Sequence, residues 1–148
     1  MASLVKNRKA TFNFELLDRY EAGVALSGGE VKAIRAGKAK LDGAYVKIYD
    51  GQAVLIGASI APYQPKNTPD SYEPDRARQL LLSKKELAKL DRQTNEANLT
   101  IVPISFYNKN GKIKLEIATA RGKKKADKRQ ALKERAVKRD LDRTLKGE

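Results

Sequence analysis

The stretch Leu99–Ile117, LTIVPISFYNKNGKIKLEI, decides the fold, because it predicts two strands joined by a tight turn. In its second half, Ile113, Leu115 and Ile117 alternate with charged residues, as in a strand that buries one face. Between the halves, Asn110-Gly111 favours the left-handed backbone angles of a two-residue hairpin turn. We therefore expect a β-hairpin near the end of the folded body.

A second hairpin is predicted upstream by the same pattern. Ala44, Val46 and Ile48 alternate with Tyr and Lys residues, which indicates a half-buried strand. Asp50-Gly51 then supplies another two-residue turn into a return strand over Ala53–Gly57.

The remaining body adds one more strand and two helices. Tyr20–Leu26 alternates like a strand, and Gly29–Ala36 predicts a short helix that ends at a glycine. Ser83–Glu86 forms a capping box that starts a helix over Lys84–Asn95. Pro103 lacks an amide hydrogen and places its strand at an edge or a bulge. The predicted fold is mainly β, a small closed barrel resembling the oligonucleotide-binding (OB) fold, with short flanking helices.

Charge divides the chain into two parts. The 148 residues hold 31 Lys and Arg against 18 Asp and Glu, a formal charge of +13. Residues 121–148 alone carry +7, with too few large apolar residues for a core. We predict a barrel domain over residues 1–121 and a basic tail over 122–148, disordered when free and helical when bound. Charge of this density indicates a nucleic-acid partner.

The composition excludes several classes of function because the residues that they need are missing. The chain has no Cys and no His, so thiolate and imidazole ligands, disulfides and histidine-based catalysis are excluded. We expect no catalytic residue, no metal and no cofactor. There is no apolar span of membrane length and no secretory segment, which predicts a cytoplasmic protein without a membrane partner.

The N-terminal part offers two candidate RNA contacts. The basic cluster Lys6–Ala10 precedes Phe12 and Phe14, and it is either a solvated arm or a place where aromatic rings stack on bases. Glu21 follows Tyr20 on the opposite strand face, where a carboxylate is solvated, forms a salt bridge, or accepts hydrogen bonds from RNA.

Two later segments add further candidates. Arg76 and Arg78 precede Leu80–Leu82, and from the residues alone we expect Leu81 to pack in the core. Gly122–Arg129 is the densest basic run, so it either keeps the chain in solution or binds phosphates.

Five colinear blocks in this sequence resemble the small protein B family. They are Asn7-Arg8-Lys9-Ala10, Tyr20-Glu21-Ala22-Gly23, Glu30-Val31-Lys32 with Arg35, Gly37 and Lys38, Arg76-x-Arg78-x-Leu80-Leu81-Leu82, and Gly122-Lys123-Lys124 with Asp127-Lys128-Arg129.

The resemblance implies an OB-type barrel that binds the tRNA-like domain of tmRNA. With elongation factor Tu, members of the family bring tmRNA to stalled ribosomes in trans-translation, so that the stalled peptide is tagged for degradation. The residues that this implies for tmRNA binding are Asn7, Arg8, Lys9, Glu21, Arg76, Arg78, Leu81, Lys123 and Lys124. Those implied for small-subunit RNA at the decoding centre and in the empty mRNA channel are Asp127, Lys128, Arg129, Lys133 and Arg135.

Two other functions stay open at this point. A general single-strand binder or ribosomal protein would bind many RNAs with similar affinity. A nuclease would need Glu21, Glu30 or Asp42 to hold Mg²⁺.

Overall fold

The computed structural model describes residues 3–122 of the chain. Its strands and helices follow one another in this order: β1 (Ser3–Lys6), α1 (Arg8–Asn13), β2 (Phe14–Val24), α2 (Gly28–Arg35), β3 (Ala39–Lys40), β4 (Tyr45–Tyr49), β5 (Gln52–Ile56), β6 (Ser59–Ile60), β7 (Arg78–Leu81), α3 (Lys84–Glu96), β8 (Thr100–Lys109) and β9 (Lys112–Gly122). A short 3-10 helix, Pro65–Asn67, lies between β6 and β7.

The antiparallel pairings close the main sheet into a barrel. The strand order is β1-β8-β4-β5-β7-β2-β9, and β9 also pairs with β8, so the six strands from β8 to β9 form a ring. Strand β1 pairs with β8 and is not itself part of the ring. The prediction of a mainly β, closed barrel with short flanking helices is confirmed.

Both predicted hairpins are present with the turns that the sequence indicated. Asn110 and Gly111 have φ angles of 51° and 78°, and Asp50 and Gly51 have 47° and 73°. These positive angles twist the turn in the sense that matches the flanking strands. Pro103 sits where the register between β8 and β9 shifts, so the predicted bulge is confirmed.

The barrel interior is filled by aliphatic and aromatic side chains from both hairpins. Leu55, Ile101, Phe106, Leu115 and Ile117 are all fully buried. Full burial of each such side chain contributes about 1.5–3 kcal/mol before the cost of ordering it.

Helix α3 contacts β4, β8 and β9 and buries Leu90, and it begins at the capping box that Ser83 and Glu86 form. Helix α2 begins at a second capping box, between Ser27 and Glu30. None of the helices between residues 3 and 122 is both long enough and apolar enough to cross a membrane.

The N-terminal cluster is ordered rather than a solvated arm. Residues 3–6 pair with β8, and Asn7 then caps α1, so the basic side chains of this segment are attached to the barrel wall. The tail over residues 123–148 lies outside the described residues.

Candidate nucleic-acid interface

Glu21 lies on the outward face of β2 in a hydrogen-bonded cluster. Its Oε2 atom accepts a hydrogen bond from the Tyr107 hydroxyl at 2.5 Å, and Lys109 Nζ lies 3.1 Å from the same oxygen. The cluster borders a cavity of about 220 Å³ lined by Ser3, Glu21, Ser105, Tyr107 and Glu116. Of the alternatives considered for Glu21, a salt bridge is therefore present, and its partner is Lys109.

These contacts hold the carboxylate in its charged form. The hydrogen bonds from Tyr107 and Lys109 lower the pKa of Glu21 below its ordinary value. Burial and the hydrogen bond to Glu21 raise the pKa of Tyr107, so its hydroxyl keeps its proton. Near neutral pH this site therefore presents an oriented anionic acceptor, with a cation beside it.

Leu81 is on the outside of the barrel, next to Gly23. Its side chain is 56% exposed, whereas its neighbour Leu80 is buried. The expectation that Leu81 packs in the core is wrong, because side chains alternate along strand β7 and residue 80 takes the inward position.

Gly23 makes room for Leu81. The two residues are register partners between β2 and β7, and a Cβ atom at position 23 would lie 3.2 Å from Leu81 Cβ. That distance is too short for most side chains, so a larger residue at position 23 would push Leu81 away.

Glu21 and Leu81 belong to one continuous surface. Gly23 follows Glu21 by two positions and so shares its outward face, and its partner on β9 is Lys114. Lys114 and Leu81 also line one cavity of about 320 Å³. We call the surface formed by Glu21, Gly23, Leu81, Tyr107, Lys109 and Lys114 the barrel face.

Asn7 is buried and holds the N-terminal segment in place. Its Nδ2 group donates to the Pro103 carbonyl oxygen at 2.8 Å, and its Oδ1 atom accepts from the Ala10 amide at 3.3 Å. The next two residues, Arg8 and Lys9, are exposed on the first turn of α1. Asn7 therefore positions two surface cations, and its own polar side chain faces the protein.

Arg78 is also buried, in an ion pair with Glu30. The two side chains are 0% and 1% exposed, and Arg78 Nη2 lies 2.7 Å from Glu30 Oε2. A second guanidinium nitrogen donates to the Ala58 carbonyl oxygen at 3.0 Å. Because its donors face the interior, Arg78 does not contribute to the surface as the sequence led us to expect.

Arg76 completes this cluster from the surface. It donates to the other carboxylate oxygen of Glu30, and its side chain is 38% exposed. Burial opposes ionisation of Glu30, but hydrogen bonds from the Ser27 backbone, Arg78 and Arg76 outweigh it and lower the Glu30 pKa. The cluster ties α2 to the start of β7, the strand that presents Leu81.

Sequence reasoning missed three members of the barrel face, Tyr107, Lys109 and Lys114, because they lie far along the chain from Glu21. It also missed the capping box of α2, although Ser27 and Glu30 have the spacing that identifies one.

The basic residues expected after the barrel, Lys123, Lys124, Asp127, Lys128, Arg129, Lys133 and Arg135, lie outside the described residues. The described chain ends at Gly122, which pairs with Phe14 directly after α1. Gly122 therefore lies near the segment that carries Arg8 and Lys9.

Two of the three acidic side chains considered for Mg²⁺ have other partners, and the third, Asp42, is exposed. Glu21 is bound by Tyr107 and Lys109, and Glu30 is bound by two arginines. Within residues 3–122, no group of three or more acidic side chains is close enough together to hold a metal ion. Nothing in this part of the chain supports a nuclease site.

Comparison with known proteins gives a consistent result. The family model described as "SmpB protein" matches residues 4–147. A Sulfurihydrogenibium protein named SsrA-binding protein is 47% identical over 141 residues, which cover 95% of this chain and 92% of that protein. A Staphylococcus epidermidis protein of the same name is 46% identical over 144 residues, which cover 97% of this chain and 92% of that protein.

A solved structure shares the fold. It is described as "tmRNA-SmpB: a journey to the center of the bacterial ribosome", and it superposes with a TM-score of 0.67 at 40% identity. The match covers 86% of this chain and 92% of that one.

Proposed function

The chain belongs to the SmpB family, and from that premise we propose that it binds tmRNA and helps to bring it to stalled ribosomes in trans-translation. Its relatives are named for binding SsrA RNA, which is tmRNA, and its structural neighbour is described by tmRNA and the bacterial ribosome. In finer detail, the proposed partners are the tRNA-like domain of tmRNA, elongation factor Tu, and small-subunit RNA near the decoding centre.

The barrel face is the observation that carries the proposal for tmRNA. It combines an ionised carboxylate, an exposed leucine and the lysines Lys109 and Lys114 on adjacent strands. The carboxylate of Glu21 would accept from a ribose 2′-hydroxyl or a base amino group, and Leu81 would pack against a base or a ribose. The lysines would bind phosphates.

Two neighbouring segments would extend this contact. Arg8 and Lys9 are exposed cations held in place by the Asn7 cap, and Arg76 keeps more than a third of its side chain in solvent. We assign phosphate contacts to these three residues. Asn7 and Arg78 have a positioning role, because both are buried and make their hydrogen bonds within the protein.

The tail would supply the ribosomal contact. Lys123 and Lys124 follow the last strand directly, so we assign them to the edge of the tmRNA surface. Asp127, Lys128, Arg129, Lys133 and Arg135 would contact ribosomal RNA at the decoding centre and in the empty mRNA channel. A segment rich in Lys and Arg but without its own core is suited to ordering on such a polyanion.

No described feature favours an enzyme, and the proposed role is that of an RNA-binding factor. Because its proposed partners are tmRNA and the ribosome, its proposed place of action is the cytoplasm.

The proposal is tested most simply at Leu81. Leu81→Ala should lower tmRNA affinity by about tenfold or more, about 1.4 kcal/mol, because an apolar contact is lost. The melting temperature should not change, since the side chain is already 56% exposed. Binding is measured by gel shift against tmRNA, tRNA and unstructured RNA.

Leu17→Ala is the matched control, because Leu17 is another exposed leucine, at 37%, on strand β2. It should leave tmRNA binding unchanged. Equal losses in both variants, or equal affinity of the wild-type protein for all three RNAs, would contradict the proposal.

A further inference from the structure

The outward face of β4 carries two exposed tyrosines with a lysine between them. Tyr45, Lys47 and Tyr49 alternate with the inward residues of the strand, and the tyrosines are 42% and 49% exposed. Large aromatic side chains are costly to leave in water, so two on one strand face indicate a surface that is covered in use. We call these three residues the tyrosine strip.

The distance between the two tyrosines would let each ring stack on a different base. Residues four positions apart on a strand are about 13 Å apart, so the two rings cannot hold opposite faces of one base. Lys47 Nζ lies 4.9 Å from the centre of the Tyr49 ring, a cation–π contact that holds a positive charge beside that ring. On the adjacent strand, Ile56 lies opposite Tyr45 and Val54 lies opposite Lys47, which makes the floor apolar.

A cavity opens at one end of the strip. Its volume is about 420 Å³, and its lining includes Tyr45, Phe14, Lys9, Asn13 and Asp42. That size falls in the range of small-molecule sites, roughly 300–1,000 Å³. Lys9 and Asn13 can donate hydrogen bonds in this cavity, and Asp42 can accept them.

The strip lies on β4, a strand that carries no member of the barrel face. Around the ring, β4 and β2 are three strands apart in either direction. RNA bound at Glu21 on β2 therefore need not cover the strip on β4.

We propose that the tyrosine strip is a second RNA site, which binds unpaired bases by stacking on Tyr45 and Tyr49. The inference rests on the proposed function, in that the protein works among folded RNAs. RNA fits better than a protein partner because Lys47 lies between the two tyrosines on the exposed face, and the only acid within the β4–β5 hairpin is Asp50, at its turn. Stacking on aromatic rings between cations is the usual way in which proteins hold single strands.

The test uses the full chain and a short unstructured RNA that contains 4-thiouridine. Tyr45→Ala and Tyr49→Ala should each weaken binding about tenfold, which is about 1.4 kcal/mol. The loss should persist at high salt, because stacking releases no counterions, whereas the contribution of the basic tail should fall. Tyr45→Phe and Tyr49→Phe should restore affinity, and irradiation should crosslink the RNA within residues 45–49.

Tyr63→Ala is the matched control. Tyr63 is 39% exposed and also has a lysine, Lys38, 5.6 Å from its ring centre, but it lies outside β4. It should bind the RNA as the wild-type protein does.

Equal binding by all three alanine variants, or crosslinks only outside β4, would overturn the proposal. If the strip variants lose affinity for tmRNA, the unpaired bases belong to tmRNA, and if they lose affinity only for ribosomes, the bases are ribosomal. If the strip variants keep their affinity for both tmRNA and ribosomes, the strip has no part in ribosome rescue. That outcome would not affect the Leu81 test of the barrel face.

Discussion

At the scale of single residues, strand β7 places its side chains in an order that composition does not reveal. Alternation puts Arg78 and Leu80 inside the barrel and Leu81 outside. A charged residue is buried and an apolar one is exposed because Glu30 supplies a buried partner for the guanidinium. The exposed leucine is then available for a partner molecule.

A variant at Glu21 should affect tmRNA binding but not the stability of the fold. Glu21→Ala should weaken tmRNA binding and leave the melting temperature nearly unchanged, because its side chain is 38% exposed on the outward face of β2. Glu15→Ala, on the same strand, controls for the gain in net positive charge. A large fall in melting temperature, with affinity kept in the folded fraction, would show that Glu21 is structural.

The Glu30–Arg78 pair should control stability. Arg78→Met leaves a buried carboxylate without its main partner and should cost about 3–5 kcal/mol in denaturant unfolding. The double variant Glu30→Gln with Arg78→Met should lose less than Arg78→Met alone, since no charge is then stranded. A double variant that is less stable than Arg78→Met would contradict this account.

Acid should weaken the same pair. The folded-state pKa of Glu30 lies below its ordinary value of 4.5, so its stabilisation is present above pH 4.5 and is lost as the pH falls through the folded-state pKa. Glu30→Gln should therefore show a flatter fall in unfolding free energy below pH 4.5 than the wild-type protein. Identical slopes for the two proteins would show that other carboxylates control acid unfolding.

At the scale of secondary structure, the sequence predicts the turns and helix starts that neighbouring residues determine. Asn110-Gly111 and Asp50-Gly51 define their hairpins, and the capping box at Ser83 starts α3 within one residue of the predicted bounds. Strand β1 was not predicted, because its partner β8 lies about a hundred residues away. Helix α1 was missed because its cap, Asn7, lies within a run that reads as a basic arm.

The left-handed turn of the last hairpin gives a test at this scale. Gly111→Ala should destabilise the barrel by about 1 kcal/mol, because its φ of 78° is unfavourable for a residue with a Cβ atom. Gly28→Ala is the control, since Gly28 has no positive φ and lies at the start of α2. It should be neutral or slightly stabilising. Equal destabilisation by both variants would show that the turn does not define the hairpin.

At the scale of the whole molecule, the barrel and the tail have separate tasks in this account. The closed ring within residues 3–122 holds the core and the barrel face, whereas residues 121–148 carry +7 of the total charge of +13. The barrel's task could be inferred from a resemblance in five sequence blocks. The tyrosine strip could not, because only the strand register shows that its three side chains share one exposed face.

The central claim is that the chain up to Lys125 recognises tmRNA and the rest of the tail acts on the ribosome. Truncation after Lys125, assayed for tmRNA affinity and for peptide tagging on stalled ribosomes, tests it most directly. We predict that affinity stays within about tenfold, or 1.4 kcal/mol, of the full chain, because the barrel face is intact, and that tagging is lost. Normal tagging by the truncated protein, or a much larger loss of tmRNA affinity, would contradict this division.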